Sequence, residues 1–146
     1  MVMEQRRSQI RLAQPSDAVE LHKLNELFNG VGTNTLDNIE SKLNSIRKEL
    51  IYVADDGERL IGFCCGHIIS SICYPVDYAE ITELYVIDEC RRHGIGKQLI
   101  CFVEERLEEL GARHFHILTF KDNSAAIALY LSCGYTQTSE TLLEKG

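Results

Sequence analysis

Apolar residues along this chain switch repeatedly between a spacing of two and a spacing of three to four. Ser8 to Ala13 alternates, with Ile10 and Leu12 set between polar neighbours, and predicts a short strand. Pro15-Ser16-Asp17 opens a helix, with proline in its first turn, and Ala18, Leu21, Leu24, Leu27 and Phe28 carry it to about Asn29. Gly30-Val31-Gly32 breaks the chain. Thr35 then caps a second helix with the stripe Leu36, Ile39, Leu43, Ile46 and Leu50. Ile51 to Ala54 and Leu60 to Ile72 read as two strands of a hairpin turned at Asp55-Asp56-Gly57. Tyr74 to Asp77 links to a strand from about Tyr78 to Ile87. The next helix sets Ile95, Leu99, Val103, Leu107 and Leu110 on one face and Glu104, Glu105, Glu108 and Glu109 on the other, which reads as a solvated face, and Gly111 ends it. His114 to Phe120 is a strand, Ser124 to Cys133 a helix ended by Gly134, and Tyr135–Thr138 and Thr141–Lys145 are short candidate strands. This order predicts an α/β (α+β) fold, a mixed and mostly antiparallel sheet with helices on both faces. With no repeat or interdomain linker, residues 1–146 read as a single domain.

Composition narrows the function classes. No apolar run approaches the roughly 20 residues of a membrane-spanning helix. The N-terminal M-V-M-E-Q-R-R-S lacks an apolar core and a small-residue cleavage site, so a cytoplasmic location is expected rather than a secretory one. A net charge of -7 argues against a nucleic-acid surface and mildly favours a cationic partner such as an amine. None of the cysteines Cys64, Cys65, Cys73, Cys90, Cys101 and Cys133 forms C-x-x-C or pairs with histidine at metal-ligand spacing, so no metal is expected. Those in apolar segments, Cys64, Cys65, Cys101 and Cys133, read as small core residues, which fits a reducing compartment. Cys90, beside Arg91, reads as a bystander ahead of the alternative, a thiol of lowered pKa.

The most informative stretch is Val86 to Lys97, V-I-D-E-C-R-R-H-G-I-G-K, between the end of a strand and the start of a helix. Glycines 94 and 96 let the backbone turn several N–H groups toward one point. The helix beginning there adds its own unpaired N–H groups and the positive end of its dipole. Arg91, Arg92 and Lys97 add charge. The combination describes an anion site, most often one for phosphate or diphosphate. It is neither the dinucleotide fingerprint, which needs a third glycine, nor a P-loop, since Gly96-Lys97 is followed by Gln98 and has no glycine five positions earlier.

Arg91-x-x-Gly94-x-Gly96 after Leu84-Tyr85-Val86 resembles the acetyl-CoA diphosphate loop, [Q/R]-x-x-G-x-[G/A], of the GCN5-related N-acetyltransferases. Downstream, Asn123-Ser124-Ala125-Ala126-Ile127-Ala128-Leu129-Tyr130 followed by Gly134-Tyr135 is similar to a second element of that family. The resemblance implies a sheet whose fourth and fifth strands splay apart to admit the pantetheine arm of acetyl-CoA. It implies that backbone N–H groups of Arg92, His93, Gly94, Ile95, Gly96 and Lys97 hold the diphosphate. Leu84, Tyr85 and Val86 would pair with pantetheine amides, with the Val86 N–H as an oxyanion donor. Asn123 would cap its helix, touch the cofactor, or do both.

Tyr130 would be the general acid, because a phenol with an ordinary pKa near 10 stays protonated at neutral pH and can donate to a leaving thiolate. The family's base often lies where Glu80 and Glu83 stand. Strand alternation puts these two on opposite faces unless a bulge intervenes, and Glu80, which shares parity with Leu84 and Val86, is the preferred one. His67, His114 and His116 rank below them. The expected activity is N-acetyl transfer from acetyl-CoA to a primary amine, small-molecule or peptide, by direct attack without a covalent enzyme intermediate. The rival expectation is a non-catalytic acyl-CoA sensor or interaction module. The resembled family often forms dimers, which leaves a homodimer open.

Overall fold

The computed structural model describes residues 8–45 and 49–146. The N-terminal segment discussed above and Ile46 of the second helix's apolar stripe lie outside the described residues. Five strands, β1 (Gln9–Leu12), β2 (Leu50–Asp55), β3 (Leu60–Ile69), β4 (Asp77–Val86) and β5 (Ala112–Ile117), lie side by side in chain order. The first four are antiparallel to their neighbours and β5 is parallel to β4. The parallel step needs a crossover, supplied by α3 (Ile95–Glu109). Helices α1 (Ala18–Asn29) and α2 (Leu36–Asn44) precede the hairpin, and α4 (Ser124–Ser132) follows β5.

The core lies mainly between the sheet and α3. Leu99, Ile100, Val103 and Leu107 of α3 are fully buried on the sheet face that carries Cys64, while Val53, opposite Phe63, is fully buried on the α1 face. Glycines 62 and 66 of β3 let α3 come close. A Cβ on Gly66 would lie 3.0 Å from Val103 and 3.1 Å from Leu107. On Gly62 it would lie 2.7 Å from the backbone oxygen of Tyr85 and 3.2 Å from Val86 Cγ2. Backbone cannot rotate away as a side chain can, so Gly62→Ala must push β3 and β4 apart. We expect a loss of about 1–3 kcal/mol, the usual cost of overpacking, and a fall in Tm of several degrees in a thermal melt.

A second anchor is polar. Arg11 of β1 holds Asp17 through two bonds of 2.8 and 2.9 Å and reaches Asp55 of β2 at 3.1 Å, and Asp17 also accepts from the Gln14 N–H at 2.7 Å. The guanidinium keeps the buried Asp17 carboxyl below its ordinary value despite burial. The start of α1 is thereby tied to the first two strands.

Several element ends differ from the sequence reading. Leu50 belongs to β2, not to the second helix, which stops at Asn44. β3 ends at Ile69 and Ile72 is fully exposed, because Ser70 Oγ donates to Asp77 at 2.7 Å and Ser71 accepts from the Cys73 N–H, closing a polar turn there. β5 spans Ala112–Ile117, since its register starts at Asp77↔Ala112. Leu118 and Phe120 beyond it are exposed. Tyr135–Thr138 and Thr141–Lys145 form no strand, as a β-prone segment without a paired neighbour gains no ladder bonds. Cys64 and Cys65 are core residues as expected, but Cys101 is exposed.

Candidate active site

The site begins where the sheet comes apart. β4 pairs with β3 as far as Val86, but with β5 only as far as Ile81, opposite Ile117. From Thr82 to Val86 one edge of β4 therefore has no strand beside it. The Ile87 N–H donates to Ile61 O at 2.9 Å, which turns the Ile87 amide toward β3. Successive peptide groups alternate along a strand, so the N–H and C=O of Val86 and Leu84 face the open edge. Arg91 Nε donates to Val86 O there, at 2.9 Å.

The chain then makes a single 3-10 turn at Asp88–Cys90 and enters the glycine loop. Arg92 and Gly94 both take left-handed backbone angles, φ +68° and +79°. That conformation costs nothing for glycine and about 1 kcal/mol or more for arginine, and such strain collects at ligand sites. Gly94 is the N-cap of α3, and the first helical bond runs from Gln98 N to Gly94 O at 3.0 Å. The N–H groups of Gly94, Ile95, Gly96 and Lys97 thus lack helical acceptors. Among the described residues no backbone carbonyl outside the helix accepts from Arg92 through Lys97 either. These donors converge at the positive end of a four-turn helix, an arrangement suited to a diphosphate.

The two glycines serve different ends. Gly94 supplies the left-handed cap. Gly96 supplies space, because a Cβ there would sit 3.2 Å from Leu129 Cδ2 of α4. The cations also divide. Arg91 is committed to the loop itself, bonding Val86 O, pairing with Asp88 at 2.7 Å and lying 5.6 Å above the Tyr85 ring. Lys97 Nζ reaches Ser132 O at 3.4 Å. Arg92 and His93 are exposed beside the donors.

The glutamates are placed by a bulge. β4 carries one extra residue, Thr82, opposite the Cys65/Gly66 step of β3. Glu83 faces Cys65 and Glu80 faces His67, and these two partners stand two residues apart on β3. Directly opposed residues share a face, so Glu80 and Glu83 lie on the same face. They do not lie on opposite ones, and Glu80 does not share a face with Leu84 and Val86. Those two oppose Cys64 and Gly62, on the α3 side. The glutamates face the α1 side with Tyr85, whose ring packs 5.1 Å from Phe28 of α1 and 6.4 Å from Phe63.

Glu80 has His67 Nε2 at 3.9 Å and His116 of β5 as its other cross-strand neighbour. His116 packs on Tyr78 at 4.9 Å, and His114 is paired opposite Tyr78. Glu83 is half-buried, and burial, reinforced by the nearby Glu49, pushes its carboxyl above the ordinary value of 4.5. The Thr82 hydroxyl at the bulge is buried without a partner.

Across the opening stands α4. Asn123 caps it, its Oδ1 accepting from the Ala126 N–H at 3.2 Å. Tyr130 is half-buried on the core side, and burial, with the nearby Cys64, Cys133 and Glu83, pushes its hydroxyl up to about 12. It stays protonated at any physiological pH. The Cys90 thiol is raised, chiefly by burial, which suits a bystander rather than an activated nucleophile.

The match to known proteins covers this whole arrangement. Residues 19–135 match the acetyltransferase (GNAT) family. The chain belongs to that family. An uncharacterized N-acetyltransferase of Chlorobaculum tepidum is 33% identical over 75% of this chain. An aminoglycoside N(6')-acetyltransferase type 1 of Klebsiella aerogenes is 33% identical over 62% of it. The matches span 66% and 60% of these relatives' own lengths. Among solved structures, an aminoglycoside acetyltransferase from a soil metagenomic sample, in complex with sisomicin, superposes with a TM-score of 0.80 at 19% identity, covering 95% of each chain. Aminoglycoside N-acetyltransferase AAC(6')-Iy, in complex with CoA, gives a TM-score of 0.84 at 16% identity, covering 100% of this chain and 99% of that one. At those identities the likeness establishes the GNAT fold for this chain.

Among the described residues no helix is long and apolar enough to cross a membrane, and no group of three or more acidic, histidine or cysteine side chains could hold a metal. Three features were not visible in the sequence: the bulge at Thr82, the aromatic wall of Phe28, Phe63 and Tyr85, and a bond from Tyr135 to Glu104. Only Tyr135 carried a signal, as part of Gly134-Tyr135.

Proposed function

We propose that this GNAT chain transfers an acetyl group from acetyl-CoA to a primary amine of a small, positively charged molecule, by direct attack. The observation that carries the reading is continuity. The unspent N–H groups from Arg92 to Lys97 lie at one end of the open β4 edge, and the Leu84 and Val86 amides continue that edge into the sheet. The loop would grip the diphosphate, with Arg92, His93 and Lys97 adding charge and Arg91 bracing the turn. Leu84 and Val86 would bond the pantetheine arm as an added strand, with Tyr85 between them turning its ring to the acceptor side.

The chemistry then divides between the two faces of the sheet. Glu83, on the α1 face, takes a proton from the acceptor's ammonium, directly or through water, and so frees the amine lone pair that attacks the thioester, as its raised pKa suits it to do. The Val86 N–H donates to the thioester oxygen as negative charge develops there. Tyr130, on the α3–α4 face, gives its proton to the departing sulfur. Glu80, beside His67, is better placed to attract a second positive charge on the acceptor than to act as base. Relatives named for aminoglycosides, which are amines, the shared face of Glu80 and Glu83, and the net charge of -7 all support a cationic acceptor. Free cysteines, two of them in the core, fit action in the cytoplasm.

The test has two steps. Acetyl-CoA at about 100 times its Kd should stabilise the protein by about 2.7 kcal/mol, a rise in Tm of about 5–10 °C. CoA release is then measured with acetyl-CoA across a panel of mono-, di- and polyamines and aminoglycosides. Release with amines of more than one charge, and little with neutral or monovalent ones, is the expected result. Binding of acetyl-CoA with no release on any amine would overturn the enzymatic reading.

A further inference from the structure

We propose that Tyr135 and Glu104 are positioning residues that hold Tyr130 at a set distance from the glycine loop. This inference rests on the reading of Tyr130 as the acid. It begins from how loosely α4 is otherwise held. No residue of α4 is fully buried, and its apolar side chains reach the core only in part, through Leu129 and Tyr130, with Cys133 just beyond the helix. A helix docked so shallowly is not located by core packing alone.

Tyr135 is joined to Tyr130 twice. Its backbone N–H donates to Tyr130 O at 3.1 Å, across the left-handed turn at Gly134, and its ring meets the Tyr130 ring edge-on at 6.4 Å. Its hydroxyl then donates to Glu104 Oε2 at 3.0 Å. Glu104 stands on α3, ten residues after Gly94, about 15 Å along the helix. One stiff rod thus carries the diphosphate donors at its N-terminal end and, further along, the carboxylate that receives Tyr135.

The alternative is that Tyr135 merely satisfies a half-buried carboxylate. Burial raises the Glu104 carboxyl, and the bond from Tyr135 opposes that rise, so the pair does stabilise itself. A role through Tyr130 makes different predictions from that one. Tyr135→Phe keeps the ring, the backbone bond and the turn, and removes only the hydroxyl's bond to Glu104, leaving the Lys97–Ser132 and Gly96–Leu129 contacts between α3 and α4 in place. It should lower kcat by about 10- to 100-fold, the range for a catalytic group displaced by up to about 1 Å, while KM for acetyl-CoA and for the amine stays within about twofold. Glu104→Gln still presents an oxygen to the Tyr135 hydroxyl and should retain most of the rate. Glu104→Ala should lose as much as Tyr135→Phe.

The deciding measurement repeats Tyr135→Phe in a Tyr130→Phe background. If Tyr135 acts through the Tyr130 hydroxyl, the second substitution costs almost nothing more there. Equal losses in both backgrounds, or an unchanged kcat in both Tyr135→Phe and Glu104→Ala, would overturn the positioning role and leave the acid assignment standing. A Tyr130→Phe enzyme with full kcat would overturn the acid assignment and this inference together. Should Tyr135→Phe fail to fold, the Glu104→Ala and Glu104→Gln pair tests the same bond from its other end.

Discussion

Replacing Tyr130 with phenylalanine is expected to lower kcat by about 10²- to 10³-fold, toward the lower part of the range for general acid catalysis. KM for acetyl-CoA should hardly move. The hydroxyl has no hydrogen-bond partner among the described residues, so its removal breaks no hydrogen bond among them. The ring contact with Tyr135 survives, and the proposed cofactor donors belong to β4 and α3. On the proposed mechanism, what disappears is the proton donated to the departing sulfur: burial raises the phenol to about 12, so it does not ionise beforehand. Without it the thiolate must leave unprotonated or draw on water. Steady-state kinetics on a refolded, thermally checked variant tests this, and unchanged turnover would remove Tyr130 from the mechanism.

Glu83→Gln should cost a comparable factor in kcat/KM, and its pH dependence should identify it. A base works deprotonated. Because the Glu83 carboxyl is raised above 4.5, the acid limb of kcat/KM should fall above that value as pH decreases, and the variant should lack this limb. The stability effect has the opposite sign. A carboxyl whose folded pKa is raised binds more protons folded than unfolded, so its charge destabilises the fold as pH rises through that window. Glutamine removes the penalty. Glu83→Gln should therefore be no less stable at pH 7, and slightly more so, while being much slower. Glu80→Gln is the control, with its larger effect expected on KM for multiply charged amines. A reversal of the two effects would move the base to Glu80.

The glycine loop was legible because its physics is local. A left-handed cap, a helix start and the strand before it follow from a dozen consecutive residues, and Gly94 and α3 stand where the pattern put them. The cap at Asn123 was legible for the same reason. Element ends were read less well wherever a neighbour decides them. The last residues of the candidate β5 strand have no partner once β4 bulges away, and the two C-terminal segments have no edge to join. The choice between Glu80 and Glu83 turned on one added residue in one strand. Alternation predicts faces only for an unbroken ladder, and Thr82 breaks it opposite Cys65 and Gly66.

Residue order alone was enough for the family, the mixed sheet and the left-handed glycine turn that opens α3. The turn depends on neighbours within a turn or two of chain, and the sheet class on the order in which strand and helix periods alternate. Folding in three dimensions assigned the parts. It set both carboxylates on the α1 face, drew Arg91 back into the loop, and strapped Tyr135 to Glu104, thirty-one positions away in the chain. Such outcomes hang on register and on contacts between distant segments, and neither is written in any local pattern of apolar and polar side chains.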